Sequence, residues 1–257
     1  MTENKLKHAL ACAADDPASR PDFFRILLNS EIYVIGHSDV PIEGHAVLSV
    51  GSKLAIMAWE RKDGTSITPF FTSLETLRAS LEEDAKFLVM SARNFFEIVK
   101  GRRLVLNPSS GYSKEFSPSE VEALLSTGVN HVPTERIIQE ATQVSLGQPA
   151  NYPAKMVAAL KAFLPRHPNI HAVHLCLMEE PGANTKPSLV VGFKGSGDIK
   201  LTMKEAGTMA IGTAPPGTPV DFVEIVEGEP GLGAYLLSVD AFYRRKWSTK
   251  LKSLFSR

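Results

Sequence analysis

The chain has 257 residues, 44% of them apolar and 22% charged, and its 28 Lys and Arg balance 28 Asp and Glu. That length and balance suit a globular protein of one large or two ordinary domains. They exclude dominant disorder, a fibrous repeat and a surface that is basic all over. No apolar run reaches the roughly 18–20 residues that a membrane-spanning helix needs.

Residues 4–14 and 20–29 read as two short helices. The apolar stretch Ala9 to Ala14 is too short for a secretory leader and follows Glu3, so the expected compartment is the cytoplasm. Pro21 and Asp22 suit a first helical turn, and Phe23, Phe24, Leu27 and Leu28 form a stripe of helical period. Strands are expected over Glu31–His37, His45–Val50, Lys53–Arg61 and Ser66–Phe71, with turns at Gly51-Ser52 and Asp63-Gly64. Thr72-Ser73 caps a helix over about 74–84. A short buried strand over Phe87–Met90, a helix over Ser91–Lys100 closed by Gly101, and a strand over Arg103–Leu106 follow. Asn107 to Gly111 is loop chemistry, and Ser117-Pro118-Ser119-Glu120 opens a further helix to about Ser126.

Gly128, Asn130 and Pro133 mark a boundary, which divides the chain into domains 1–130 and 131–257. The second half spaces strand Gln143–Leu146, helix Pro153–Leu164, strands Ile170–Met178 and Pro187–Phe193, helix Ile199–Ile211 and strand Pro219–Val226. The expected fold class is α+β in both domains, the C-terminal one in the ferredoxin-like order β-α-β-β-α-β plus a terminal helix.

The chemistry-bearing residues do not assemble into a catalytic set. Cys12 and Cys176 lack any CxxC or zinc-type spacing and read as structural thiols. His171 and His174 fall on opposite faces of an alternating strand, so no metal is expected. His37 and His45 have no partner in the pattern. The loop Gly192 to Gly197 does not match a phosphate-binding motif, and Asp198 after it reads as a helix cap. Ser113 beside Lys114 has no readable oxyanion hole.

From 240 to 257 the chain holds six bases against Asp240, leaving 22 bases and 27 acids in the other 239 residues. Tyr243, Trp247, Leu251, Leu254 and Phe255 then share a helical face. The preferred reading is a terminal helix docking on an acidic body. A membrane-surface, partner-helix or nucleic-acid contact is the alternative, with Arg244, Arg245 and Trp247 as contact residues.

Several strings resemble one family. Arg20-Pro21-Asp22-Phe23-Phe24-Arg25, Trp59-Glu60 through Asp63-Gly64-Thr65, and Pro69-Phe70-Phe71-Thr72-Ser73-Leu74-Glu75 carry the resemblance in the first half. Leu104-Val105-Leu106-Asn107-Pro108, Gly111-Tyr112-Ser113-Lys114-Glu115-Phe116 and the late Phe242-Tyr243-Arg244-Arg245-Lys246-Trp247 continue it. Together they are similar to the bacterial enhanced serine sensitivity protein SseB family, in order, from about residue 8 to 250. The resemblance implies an SseB N-terminal and an SseB C-terminal domain in a cytosolic protein linked to serine sensitivity. It implies no established enzyme activity and no catalytic residues.

The expectation is therefore a non-enzymatic binding or regulatory protein without a cofactor. Its partner is an unidentified protein or small molecule, and no nucleic acid is expected. An enzyme or small-molecule sensor of serine or amino-acid metabolism is the alternative. The expected working surface gathers Phe70, Phe71, Thr72, Asn107, Lys114 and Glu115, polar turn residues beside aromatics. Phe70 and Phe71 equally suit a core, and Thr72 a cap. Lys114 and Glu115 have no obvious core role.

Overall fold

In a computed structural model the described residues are 2–38, 54–131, 144–181 and 186–245. The chain divides into two units, Met1–Val132 and Pro133–Arg257. The expected strand His45–Val50, the turn Gly51-Ser52 and His45 lie outside the described residues.

Unit one opens with helices α1 (Thr2–Asp15) and α2 (Arg20–Leu28). The Asp16 carboxylate accepts the Ala18 N–H at 3.0 Å between them, and Pro21 sits in the first turn of α2, where its missing N–H costs nothing. Then come β1 (Glu31–Ser38), β2 (Leu54–Ile56), β3 (Trp59–Glu60), β4 (Ser66–Phe71), α3 (Leu74–Arg78), β5 (Phe87–Ser91), α4 (Ala92–Ile98), β6 (Leu104–Leu106), β7 (Lys114–Phe116) and α5 (Pro118–Thr127). Across the sheet the order is β5-β1-β4-β6-β7; β4 and β6 run parallel and the other neighbours antiparallel.

The expected strand Lys53–Arg61 is two pieces. β2 pairs with β1 through Gly36↔Ile56, and β3 pairs with β4 through Trp59↔Ile67. A Cβ on Gly36 would meet the Ala55 carbonyl oxygen at 2.2 Å, so only glycine allows that approach. Pro69 stands where β4 changes partner from β3 to β1, the position at which a strand can do without an N–H.

Alternation on β4 divides the apolar residues between two faces. Phe70 points to the helix-covered face with Ile32, Val34, Leu104, Leu106 and Phe116, and its ring lies 5.3, 5.7 and 5.8 Å from those of Phe95, Phe96 and Phe116. Phe71 points the other way and packs with Ile35 and Leu77. Among the described residues α3 is the helix that contributes to this second cluster. Ser73 caps it in a capping box with Thr76, but it stops at Arg78 rather than near 84. The acidic run Glu82-Glu83-Asp84 lies beyond, and carboxylates oppose the negative end of a helix. β5 was expected to be buried. Among the described residues it pairs only with β1, and Phe87 and Val89 are 38% and 43% exposed.

Unit two holds β8 (Ser145–Gly147), α6 (Ala154–Phe163), β9 (Ile170–Glu179), β10 (Ser188–Gly195), α7 (Lys200–Ala210), β11 (Val220–Glu224), α8 (Leu232–Ser238) and β12 (Tyr243–Arg244). The α+β class and the β-α-β-β-α-β order are present. The strand neighbours differ from a ferredoxin-like sheet: β8 runs antiparallel to β9, β9 to β10, and β10 lies directly beside its parallel partner β11. A split βαβ unit needs a strand inserted between its parallel pair, and here α7 crosses between adjacent strands.

α8 covers one face of this sheet, in a cluster of Cys176, Val190, Ile225 and Leu236. A Cβ on Gly192 would meet Leu236 Cδ1 at 2.6 Å, so glycine there lets α8 seat. The expected terminal helix does not begin at Tyr243. Tyr243 and Arg244 pair with Val173 and Ala172, because the free edge of β9 offers hydrogen bonds that outweigh a local helical stripe.

His174 is buried on the α8 side, its Nδ1 3.0 Å from the Val239 carbonyl. Burial first, and then the nearby positive charges of Arg244 and Lys194, hold its pKa below the ordinary 6.5, so the folded state keeps it neutral. The unfolded chain takes up the proton first as pH falls. The stabilisation is therefore present above pH 6.5 and is lost as pH drops below it towards the folded value. Denaturant titrations between about pH 7 and pH 5 should show a falling midpoint, with a shallower fall in His174→Gln. Equal slopes in the two proteins would remove His174 as the cause.

Candidate functional site

The expected site residues separate into three groups. Phe70 and Phe71 are fully buried, on opposite faces of β4, and belong to the core. They are not part of a recognition surface.

Thr72 and Asn107 do come together, inside the fold. Asn107 follows β6 and adopts φ +50°, a left-handed conformation that asparagine tolerates better than most residues. Its Oδ1 accepts the Thr72 N–H at 3.0 Å, and its Nδ2 donates to Thr72 Oγ1 at 3.1 Å. Its own N–H donates to the Phe70 carbonyl at 2.9 Å. The residue thus ties the ends of the parallel strands β4 and β6. Thr72 serves this tie, and Ser73 alone caps α3. Asn107→Ala leaves buried Thr72 groups unpaired in a strained backbone and should cost about 2–3 kcal/mol by denaturant unfolding. Asn107→Asp keeps the acceptor and should lose less.

Lys114 and Glu115 are neighbours on β7 and so point to opposite faces. The Lys114 ammonium lies 3.0 Å from Glu120 Oε1 and 4.7 Å from the Phe116 ring centre, and it donates to the Glu115 carbonyl. Glu120 Oε2 in turn accepts the Ser117 N–H at 3.0 Å, closing the capping box of α5. Lys114 is held in this helix-start network.

Glu115 faces the side of the sheet away from the main helices, opposite Val105. Its Oε2 accepts from Arg61 Nη2 at 2.8 Å and its Oε1 from Arg103 Nη1 at 2.7 Å. All three side chains keep more than a third of their surface in water. Hydrogen bonds from Arg61 and then from Arg103 hold the Glu115 carboxyl below the usual carboxylate range. Two guanidiniums share the one Glu115 carboxylate, and Arg61 also feels the negative charge of Asp63. Arg103 also borders a shallow depression of about 520 Å³ with Arg102, Thr68 and Pro118. Guanidinium and hydroxyl groups there can hold an anionic group but supply no acid–base pair.

Arg61 and Arg103 were absent from the expected site. Arg103 could have been found from strand alternation once β7 was recognised, because it lies diagonally across from Glu115 on the same face. Arg61 sits 54 positions from Glu115 and is brought to it by the β3–β4 hairpin.

The remaining candidates have structural roles. Cys176 is fully buried, and burial pushes its thiol up to about 11, which makes it inert. Cys12 Sγ lies 3.5 Å from His8 Nε2, one turn away on α1. His171 Nε2 lies 3.4 Å from Ser196 Oγ, on the other face of β9 from His174. Asp198 Oδ1 accepts the Lys200 N–H at 2.9 Å, but the N-cap of α7 is Ile199, which has no side-chain cap, so Asp198 braces the helix start from one residue before it. Among the described residues no cluster of His, Cys, Asp and Glu could hold a metal ion, and no helix is long and apolar enough to cross a membrane.

Of the tail residues, Arg244 lies in β12. The Arg245 N–H donates to the His171 carbonyl at 2.9 Å and its Nη1 to the His167 carbonyl at 3.2 Å. Both serve the edge of the second sheet. Trp247 lies outside the described residues.

Comparison with known proteins bears on the whole chain. The SseB protein N-terminal domain matches residues 6–123 and the SseB protein C-terminal domain matches residues 138–245. Protein SseB of Escherichia coli (strain K12) is 33% identical over 252 residues, covering 98% of this chain and 96% of that protein. Protein SseB of Shigella flexneri matches to the same extent. No solved structure matches the chain significantly.

Proposed function

The chain belongs to the SseB family, and on that premise we propose that it is a non-enzymatic binding or regulatory protein of the bacterial cytoplasm. Its working surface is the side of the first sheet that the main helices leave open. The observation that carries this reading is the Arg61–Glu115–Arg103 cluster, a charged group open to water with Glu115 on β7 and the two arginines beside the ends of β3 and β6. Exposed ion pairs add little to stability, with typical values of about 0–1 kcal/mol, so a stabilising role does not account for it. Planar guanidiniums held in place by a carboxylate suit recognition of a carboxylate- or phosphate-bearing partner.

Affinity capture from bacterial cytosol tests the reading. Partners recovered by the native chain should be lost with Arg61→Glu combined with Arg103→Glu, while circular dichroism stays native. Unchanged recovery would count against the surface. Isothermal titration with L-serine addresses the alternative of a small-molecule sensor in serine metabolism. Saturable heat in the micromolar range would replace the protein-binding reading with that one.

A further inference from the structure

The geometry points to β5 as a self-association edge, at which two copies of this chain pair antiparallel about a two-fold axis through Leu88. The inference concerns the edge strand and does not depend on the arginine cluster.

β5 pairs with β1 on one side, and among the described residues nothing pairs on the other. The Gly36 N–H donates to the Lys86 carbonyl and the Ala92 N–H to the Ser30 carbonyl. Residues 86, 88, 90 and 92 therefore turn their main-chain groups inward, and Phe87 and Val89 turn theirs outward. These two residues thus present two N–H donors and two carbonyl acceptors to solvent. An antiparallel copy related by an axis at Leu88 sets Phe87 opposite Val89 and Val89 opposite Phe87. Each such pair exchanges both of its hydrogen bonds, which satisfies all four groups on each chain.

Side chains match the same symmetry. Phe87 and Val89 are exposed, and the Phe87 ring lies 5.9 Å from that of Tyr33. The pairing joins two such strips into one apolar surface and sets an aromatic against a β-branched residue twice. Natural edges are guarded by charge, proline or a bulge, yet β5 reads Phe-Leu-Val-Met-Ser.

Charge selects a second copy in this orientation. The exposed run Glu82-Glu83-Asp84 and then exposed Lys86 precede β5, three acids against one base, and exposed Arg93, which also donates to the Leu125 carbonyl, follows it in the first turn of α4. Glu83 and Arg93 are equidistant from Leu88 along the chain. The two-fold pairing sets the acidic end of each copy against the basic end of the other, whereas a parallel pairing stacks acid on acid. A short edge of this kind buries less than the roughly 1,200 Å² of a stable interface, so the association is weak and concentration-dependent.

Sedimentation equilibrium of the full chain should show a mass rising from 28.0 kDa towards twice that as concentration moves through the micromolar range into the millimolar. Val89→Pro removes an outward N–H and leaves the β1 ladder intact, so it should weaken association by about tenfold or more. Hydrogen exchange on the native chain gives a measurement free of mutation. The Phe87 and Val89 amides should be protected at high concentration and fast on dilution, while the Leu88 amide stays protected at both. A chain that stays monomeric, a dimer unaffected by Val89→Pro, or Phe87 and Val89 amides indifferent to concentration would each overturn the proposal. None of these outcomes touches capture through Arg61 and Arg103, so the two readings fail separately. A Phe87 and Val89 edge protected only in the presence of another protein would assign it to a different partner and also refute self-pairing.

Discussion

Two adjacent phenylalanines on a central strand cannot share a face. The pleat of β4 sends Phe70 to one side and Phe71 to the other, and the first unit is organised around that division. Phe70 sits among Phe95, Phe96 and Phe116 beneath the main helices, so the bulk of the apolar surface gathers on its side. Phe71 nucleates a smaller cluster with Ile35 and Leu77. That inequality leaves strand surface open, and the open strands present the charged cluster at Glu115 and the apolar edge at β5.

Polar residues complete the division in two different ways. Asn107 is buried and satisfied, and it ties the ends of β4 and β6. Its worth to stability is high because each unmade bond there would leave a buried group dry. Glu115 is half in water between two arginines, where the attraction is screened and little is gained by the pair. The first arrangement holds the strands, and the second rests on strands already held. Lys114, one residue from Glu115, belongs to neither kind: the pleat turns it, partly exposed, towards Glu120 at the start of α5.

Local sequence signals were legible where an element has its own period or cap. The stripe Phe23, Phe24, Leu27, Leu28 gives α2, Asp63-Gly64 gives the β3–β4 turn, and Ser117 with Glu120 gives the start of α5. β7, α8 and β12 were not legible. The two strands, three and two residues long, hold no readable period, and α8 has glycine before it and no side-chain cap. Of the residues named from the sequence, Glu115 is the one that the structure places in the Arg61–Glu115–Arg103 cluster. Phe70 and Phe71 looked equally suited to core or surface, and Thr72 and Asn107 proved to bond each other across 35 positions.

The sequence by itself determined the α+β class, most helix and strand types and the family, because periodicity, caps and ordered motifs are properties of neighbouring residues. Only the tertiary structure decided which strands are neighbours, and hence that the second sheet is not ferredoxin-like, that Tyr243 and Arg244 join a strand, and that Arg61 and Arg103 meet on Glu115. Those outcomes depend on which edge is free and which face is covered. Hydrogen bonds and burial between distant segments settle both, and no local window of the chain contains them.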